Sequence, residues 1–335
     1  MRQGTALQLP EALEMTRRDI HQIHDFFEYV RTDDGVPITD PKKIDVAILD
    51  MNHSWPNVGH DSLVHAVLEA AEESRERLAA KGMKVRALSY DVRRRFIIPD
   101  PPNGRFGLYI GTGGPGHLDP RRNDGLSDFS QGIYEDDDWE APLFDLFDRV
   151  MAHSSAALFG VCHTFGLMCR WSGVAHPALR DEKSSGMPLN VLAPSAFDHP
   201  WFEKFARELS DRKSFRVVDN RLFDLILDGG DVTPIAFERN DSAILTMAEF
   251  ARIGDMPRVF GVNHHPEIID RDHLLAVLAE KRTHGDVSDQ WFKERSHTLE
   301  NEMVGEKEAE SRLTSQYTLL APLRFHIQRL IEERM

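Results

Sequence analysis

The stretch Ala156-Ala157-Leu158-Phe159-Gly160-Val161-Cys162-His163-Thr164-Phe165-Gly166-Leu167-Met168-Cys169-Arg170-Trp171 decides how this chain folds. Its first six residues form a short apolar run, which reads as a buried strand. A helix-forming run follows from Thr164. A strand that turns abruptly into a helix leaves one residue at the corner, directed out of the sheet. Here that residue is Cys162, at a helix N-terminus where the helix dipole favours a thiolate. The layout is that of a nucleophile elbow with cysteine in place of serine.

Working outward, residues 11–32 carry Leu13, Ile20, Ile23, Phe27 and Val30 near helical spacing, which predicts an amphipathic helix. Ile44 to Met51 reads as a buried strand and Asn52 to Gly59 as a polar loop. A helix is expected from Asp61 to Ala80, closed by Gly82. Val85 to Tyr90 and Phe106 to Ile110 are further strands, the second leading into the glycine loop Gly111-Thr112-Gly113-Gly114-Pro115-Gly116. A helix over Glu140 to His153 then precedes the Cys162 strand. This alternation predicts an α/β fold with an open, mostly parallel sheet covered by helices on both faces. Beyond Trp171 short strands are expected at 189–192, 215–218, 233–237, 243–247 and 259–262, with helices near 199–210 and 271–281. From about residue 284 the chain reads as polar and helical. The expected organisation is a helical extension over 1–40, the main domain over 41–270 and a helical extension over 271–335.

The 335 residues suffice for one large domain with additions, or for two domains. The net charge of −15 argues against a general nucleic-acid surface, which needs a basic face. No apolar run approaches the roughly 18 residues of a membrane span. Met1-Arg2-Gln3-Gly4 has no apolar signal core, and Cys162 and Cys169 are the only cysteines, so a reducing cytoplasm is the expected setting. A four-cysteine zinc site is excluded by count.

A cysteine nucleophile needs a base, and the base needs an orienting group. The end of the last core strand offers both in Val262-Asn263-His264-His265-Pro266-Glu267. His265 and Glu267 flank a proline that stiffens the backbone, and alternate residues at a strand end can face the same way. The imidazole could take the thiol proton while the carboxylate holds its tautomer. Acyl transfer also needs donors for a developing oxyanion. The amides of Gly114 and of His163 are the candidates.

In this order, Gly113-Gly114-Pro115-Gly116, Gly160-Val161-Cys162 and His265-Pro266-Glu267 resemble the class I glutamine amidotransferase family over roughly residues 44–270. The resemblance implies a flavodoxin-like sheet. It also implies a Cys162–His265–Glu267 triad that attacks the side-chain amide of glutamine and forms a γ-glutamyl thioester. Ammonia would then pass to a synthetase or acceptor subunit. Two positions depart from the family pattern. Its elbow continues Cys-x-Gly-x-Gln, whereas Thr164 and Gly166 stand here. Its later Ser-His segment falls at Asn220-Arg221-Leu222, without the histidine. Gly113, Gly166 and Arg221 are therefore the candidate substrate contacts. A stand-alone γ-glutamyl or related amide hydrolase and a non-catalytic regulatory or scaffold module are the alternatives.

Other readings of the same residues are weaker. Gly111-x-Gly113-x-x-Gly116 fits a dinucleotide fingerprint, but His117-Leu118-Asp119-Pro120 does not open a helix. His53, His60 and His65 are spaced too irregularly for a metal site, so no metal or cofactor is expected. His264 reads as a structural neighbour of His265. The acidic run Glu135 to Asp138 reads as a solvated loop. The C-terminal stripe of Leu319, Leu320, Leu323, Phe325, Ile327, Leu330 and Ile331 reads as packing or a contact in a homo-oligomer.

Overall fold

The computed structural model describes residues 20, 23–33, 35–53, 58–269, 271–285 and 287–334. Its strands are β1 (Phe27–Arg31), β2 (Lys43–Asp50), β3 (Lys84–Asp91), β4 (Phe106–Gly111), β5 (Ala157–Val161), β6 (Ala175–Gly186), β7 (Leu189–Leu192), β8 (Ser214–Arg216), β9 (Asp219–Leu227), β10 (Thr233–Glu238), β11 (Asp241–Ile253) and β12 (Met256–Val262). The helices are α1 (Val58–Glu72), α2 (Arg75–Lys81), α3 (Val92–Arg95), α4 (Glu140–Ala152), α5 (His163–Ser172), α6 (Pro194–Asp198), α7 (Phe202–Glu208), α8 (Arg271–His284), α9 (Asp289–His297), α10 (Glu306–Ser315) and α11 (Ala321–Glu333).

The sheet order is β1-β3-β2-β4-β5-β12-β11-β10-β7-β8. From β1 to β12 every neighbour is parallel; from β12 to β8 every neighbour is antiparallel. β9 pairs with β11 and carries β6 as a further antiparallel strand. The parallel half explains the continuous apolar strands seen in the sequence, because both of its faces are covered. Val46 and Ile48 of β2, Leu108 and Ile110 of β4, and Phe159 and Val161 of β5 pack with α1 and α11. The alternate residues Ala47, Leu49, Tyr109 and Leu158 pack with α4 and α5 on the other face.

Several boundaries differ from expectation for local reasons. Phe27–Arg31 is an edge strand on β3 rather than the end of a helix; most of the remaining 11–32 segment lies outside the described residues. The helix expected over 61–80 divides at Ser74, and Gly82 closes the second piece in the left-handed conformation with φ 61°. The long β6–β9 pair lay in sequence without a clean apolar alternation and was not expected. The C-terminal stripe is interior packing: Leu319, Leu323, Ile327 and Ile331 lie in the main core. A Cβ on Gly107 would come within 2.4 Å of Leu330.

One buried cation ties β12 to the C-terminal end of α4 and its link to β5. Arg258 of β12 donates from Nη1 to the carbonyls of Val150, His153 and Ala156, and from Nη2 to Met151. The Val150, Met151 and His153 carbonyls end α4 and Ala156 lies just before β5, so the guanidinium satisfies the last carbonyls of the helix and meets the negative end of its dipole. Arg258→Ala is expected to lower stability by about 3 kcal/mol, measured by urea denaturation, because several buried carbonyls lose a charged donor at once.

Candidate active site

The parallel strands β4, β5 and β12 end side by side, and the candidate residues follow their C-terminal ends, where open α/β sheets bind ligands. Cys162 sits between β5 and α5 with φ 47° and ψ −101°, a backbone conformation rare for a residue with a side chain. The surroundings hold it there. Its amide donates to the Val262 carbonyl at 2.7 Å. Helix α5 seats directly on the two strands: a Cβ on Gly160 would lie 2.4 Å from the Met168 sulfur, and one on Gly261 would lie 2.1 Å from the Phe165 ring. Thr164, which stands where the family pattern has glycine, donates from its hydroxyl to the Thr112 carbonyl at 2.7 Å and so keys the elbow to the glycine loop.

His265 follows β12. Its Nδ1 is 2.8 Å from Glu267 Oε1, and the Glu267 side chain is fully buried. Nε2 has no hydrogen-bond partner, and Cys162 lies near enough to the ring to act on its charge. Burial disfavours charge on this ring, but the Glu267 carboxylate and Cys162 outweigh it and raise the His265 pKa well above the usual imidazole value. The neighbouring His264 behaves oppositely. Burial first, then His265 and Arg221, push it down to about 3, and it packs as a neutral ring. Gly113 completes the contact, since a Cβ there would lie 2.9 Å from His265 Cε1 and 3.5 Å from Cys162 Cβ.

The glycine loop is held from beneath. A Cβ on Gly114 would lie 2.3 Å from the Met51 carbonyl oxygen. Arg93, fully buried, donates to Met51 O and Pro115 O at 2.9 and 2.7 Å and pairs bidentately with Glu135. The acidic run is therefore not wholly a solvated loop: its first residue is the buried counter-charge of the loop's support, while Asp136 to Asp138 are exposed. Among the described residues no backbone carbonyl accepts from the Gly114 or the His163 amide, and the Gly114 backbone lies against the His163 ring. The loop leads into a short 3-10 turn at Pro120–Arg122, not into the helix a dinucleotide site needs.

These groups open onto a pocket of about 360 Å³ lined by Cys162, His163, His265, Gly114, Arg221 and Asn263, with Asp219 beside them. Several of the buried polar atoms without partners lie on residues that line it: His163 Nε2, Asp219 Oδ1, Asn263 Nδ2 and His265 Nε2. Such atoms are rare in native interiors and mark where a ligand's own donors and acceptors fit. The His163 ring is kept neutral, mainly by burial and then by Arg93 and Arg170. Arg221 is tied to Asp219, Asp224 and Glu238, so its charge is already matched. Gly166 does not itself reach the pocket. Leu118 lies over it, and a Cβ there would come within 2.4 Å of Leu118 Cδ1. Leu118 is itself anchored through its carbonyl by Arg170 at 2.5 Å. An apolar side chain thus fills the space that the family pattern gives to glutamine.

The sequence reading did not find Lys183, Asp219, Trp291 or Arg295, all of which line the pocket. They come from β6, β9 and α9, elements that approach the elbow only through long-range folding. A small separate core of Met187, Val218, Ile268, Leu274, Leu278, Leu299 and Met303 seats α8 and α9 over the pocket as a roof. Among the described histidines, His60 bonds Ser89 at 2.8 Å and Asp61 at 3.0 Å inside the sheet's other end. Among the described residues no group of three or more metal-ligating side chains converges.

No family model matches the chain, and no curated protein does. Among solved structures it is similar to a glutamine amidotransferase from Thermotoga maritima, at 14% identity and a TM-score of 0.48, over 86% of this chain and 98% of that one. It is also similar to a glutamine amido transferase from Methylobacillus flagellatus, at 13% identity and a TM-score of 0.43, over 87% of this chain and 95% of that one. Among the described residues no helix is long and apolar enough to cross a membrane.

Proposed function

We propose that the protein cleaves an amide through a thioester on Cys162, in the manner of the class I glutamine amidotransferases that its motifs resemble. The observation that carries this reading is the strained Cys162 at the strand-to-helix corner, beside a His265 bonded to a buried Glu267. Cys162 Sγ attacks the amide carbon while the amides of Gly114 and His163 receive the oxyanion. The carbon–nitrogen bond then breaks, and the His265 proton passes to the leaving nitrogen. Water, activated by the now neutral His265, hydrolyses the thioester and restores the thiol.

Glutamine is the first donor to test, with ammonia released for a partner subunit. A second reading, a hydrolase of γ-glutamyl or related amides, is favoured by Leu118 over Gly166. Both are tested by incubating the protein with an electrophilic glutamine analogue and locating the adduct by mass spectrometry. Ammonia and free amine release are then compared over a panel of γ-glutamyl amides. A label on Cys162 is expected; an unlabelled Cys162 with no release from any donor would favour a non-catalytic module. Gly114→Ala is expected to lower kcat by about a hundred- to a thousandfold with an unchanged circular dichroism spectrum, because its Cβ drives the loop amide away from the oxyanion position.

A further inference from the structure

Cations around the pocket fall into two groups. Arg221, Arg180, Arg93 and Arg170 are each matched by carboxylates: Arg221 by Asp219, Asp224 and Glu238, Arg180 by Asp224 and Glu238, Arg93 by Glu135, and Arg170 by Glu140. Lys183 of β6 and Arg295 of α9 also line the pocket, yet among the described residues neither enters an ion pair. The one carboxylate that acts on either is Glu294, also at the pocket rim, and it lies beyond ion-pair distance. In a chain with 55 acidic and 40 basic residues, the pocket that Cys162 opens onto thus has two cations in its lining without a carboxylate partner, Lys183 exposed and Arg295 half-buried.

We propose that Lys183 and Arg295 form a subsite for a carboxylate carried by the leaving amine of the donor, so that the preferred substrate is an amide made with an amino acid. This rests on the reading of Cys162 as the nucleophile. Three observations support it. Arg295 is already positioned, its guanidinium 5.5 Å over the Trp291 ring, and a fixed planar fork bonds both oxygens of a carboxylate. Lys183 lies near enough to both Arg295 and Cys162 to respond to each: burial lowers its pKa first, Arg295 lowers it further, and Cys162 opposes them. An anion held by both cations relieves that repulsion inside the same pocket that Cys162 lines. The pocket of about 360 Å³ lies within the roughly 300–1,000 Å³ range that encloses ligands larger than a single amino acid.

In the reaction this implies, Cys162 Sγ bonds to the amide carbon, the carbon–nitrogen bond breaks, and the His265 proton moves to the nitrogen. The free amino acid then leaves past Lys183 and Arg295, and water hydrolyses the thioester.

The test separates binding from chemistry. The Cys162→Ala protein is titrated by calorimetry with γ-glutamylglycine and with γ-glutamylmethylamide, which differ in the carboxylate on the amine. The carboxylate-bearing donor is expected to bind about tenfold more tightly, with the difference shrinking at high salt. Arg295→Gln and, on the separate β6 strand, Lys183→Gln are each expected to collapse that ratio toward one. Equal binding of the two donors, no binding of either, or a ratio untouched by both substitutions would overturn the subsite. So would an equal loss of affinity for both donors, which assigns the cations to the glutamyl carboxylate instead. With unsubstituted protein, glycine release from γ-glutamylglycine is followed in parallel. If the binding ratio holds but no glycine appears, it is the Cys162 chemistry that fails and not the subsite.

Discussion

Cys162→Ala is expected to lower turnover of every amide donor about a millionfold and to leave the folded structure in place. The large effect follows from position. Cys162 is the residue turned out of the sheet at the corner, half-buried in the pocket wall, with His265 beside it. The small effect on folding follows from the same geometry. The strained φ of 47° is imposed by Gly160, Gly261 and the Cys162 amide bond to Val262, none of which depends on the sulfur. Cys162→Ser keeps the shape but replaces the sulfur nucleophile with a far weaker hydroxyl, so it too is expected to lose nearly all turnover. Cys169 provides the control. It is fully buried in an apolar cluster, and burial pushes its thiol well above the usual range, so it stays unreactive. An electrophilic analogue is expected to add its mass at Cys162 alone, and Cys169→Ala is expected to keep that label. Turnover by Cys162→Ala above a thousandth of the parent rate would refute the nucleophile.

The parallel half of the sheet was legible because its strands are short, continuous apolar runs separated by helix-length segments, a pattern with few other solutions. Ile44 to Met51 and Val85 to Tyr90 fall within about a residue of β2 and β3. The first helix was misread at its end because Phe27 and Val30 suit a helical stripe and an edge strand equally well. Five residues cannot fix a period, and pairing with β3 decides it. The β6–β9 pair was missed because its strands carry the charged run Arg180, Asp181, Glu182 and Lys183 and also Arg221, and the partners of Arg180 and Arg221 include residues of other strands that only the fold brings near.

The candidate site divides along the same line. Cys162, His163, Gly113, Gly114, His265 and Glu267 were readable because each belongs to a short local motif at the end of a parallel strand, and such ends come together in this kind of fold. Lys183, Trp291 and Arg295 have no motif. They meet the elbow only because α8 and α9 fold back on a separate apolar core. The buried Arg93–Glu135 pair joins residues 42 apart in sequence, and nothing local distinguishes Glu135 from the exposed Asp136 beside it. Gly166 was misjudged as a contact for a related reason: which side chain covers a glycine is a fact of packing, and here it is Leu118.

Glu267→Gln is expected to lower kcat/KM about ten-thousandfold and to move the alkaline limb of its pH profile to lower pH. Glu267 is completely buried, its Oε1 bonds His265, and its Oε2 has no partner. The imidazolium is therefore the carboxylate's principal compensation, and a buried charge demands one. Burial alone would lower the His265 pKa; Glu267, helped by Cys162, reverses the sign and holds it well above the usual value of about 6.5. The proton that His265 must deliver to the leaving nitrogen is consequently retained well above that pH, and its loss sets the alkaline limb. Glutamine keeps the size of the side chain and removes the charge, so burial prevails, the proton is lost at lower pH, and the amide can hold the ring in the wrong tautomer. The stability consequence has a definite sign. A raised pKa stabilises the folded state fully below about pH 6.5, and the contribution fades as pH rises through the folded value. The stability gap between parent and Glu267→Gln should therefore be widest in mildly acidic buffer and narrow toward alkaline pH, as read by urea midpoints across the range. A gap that widened with pH would mean that His265 is neutral beside a charged Glu267, and that the pair does not carry the proton.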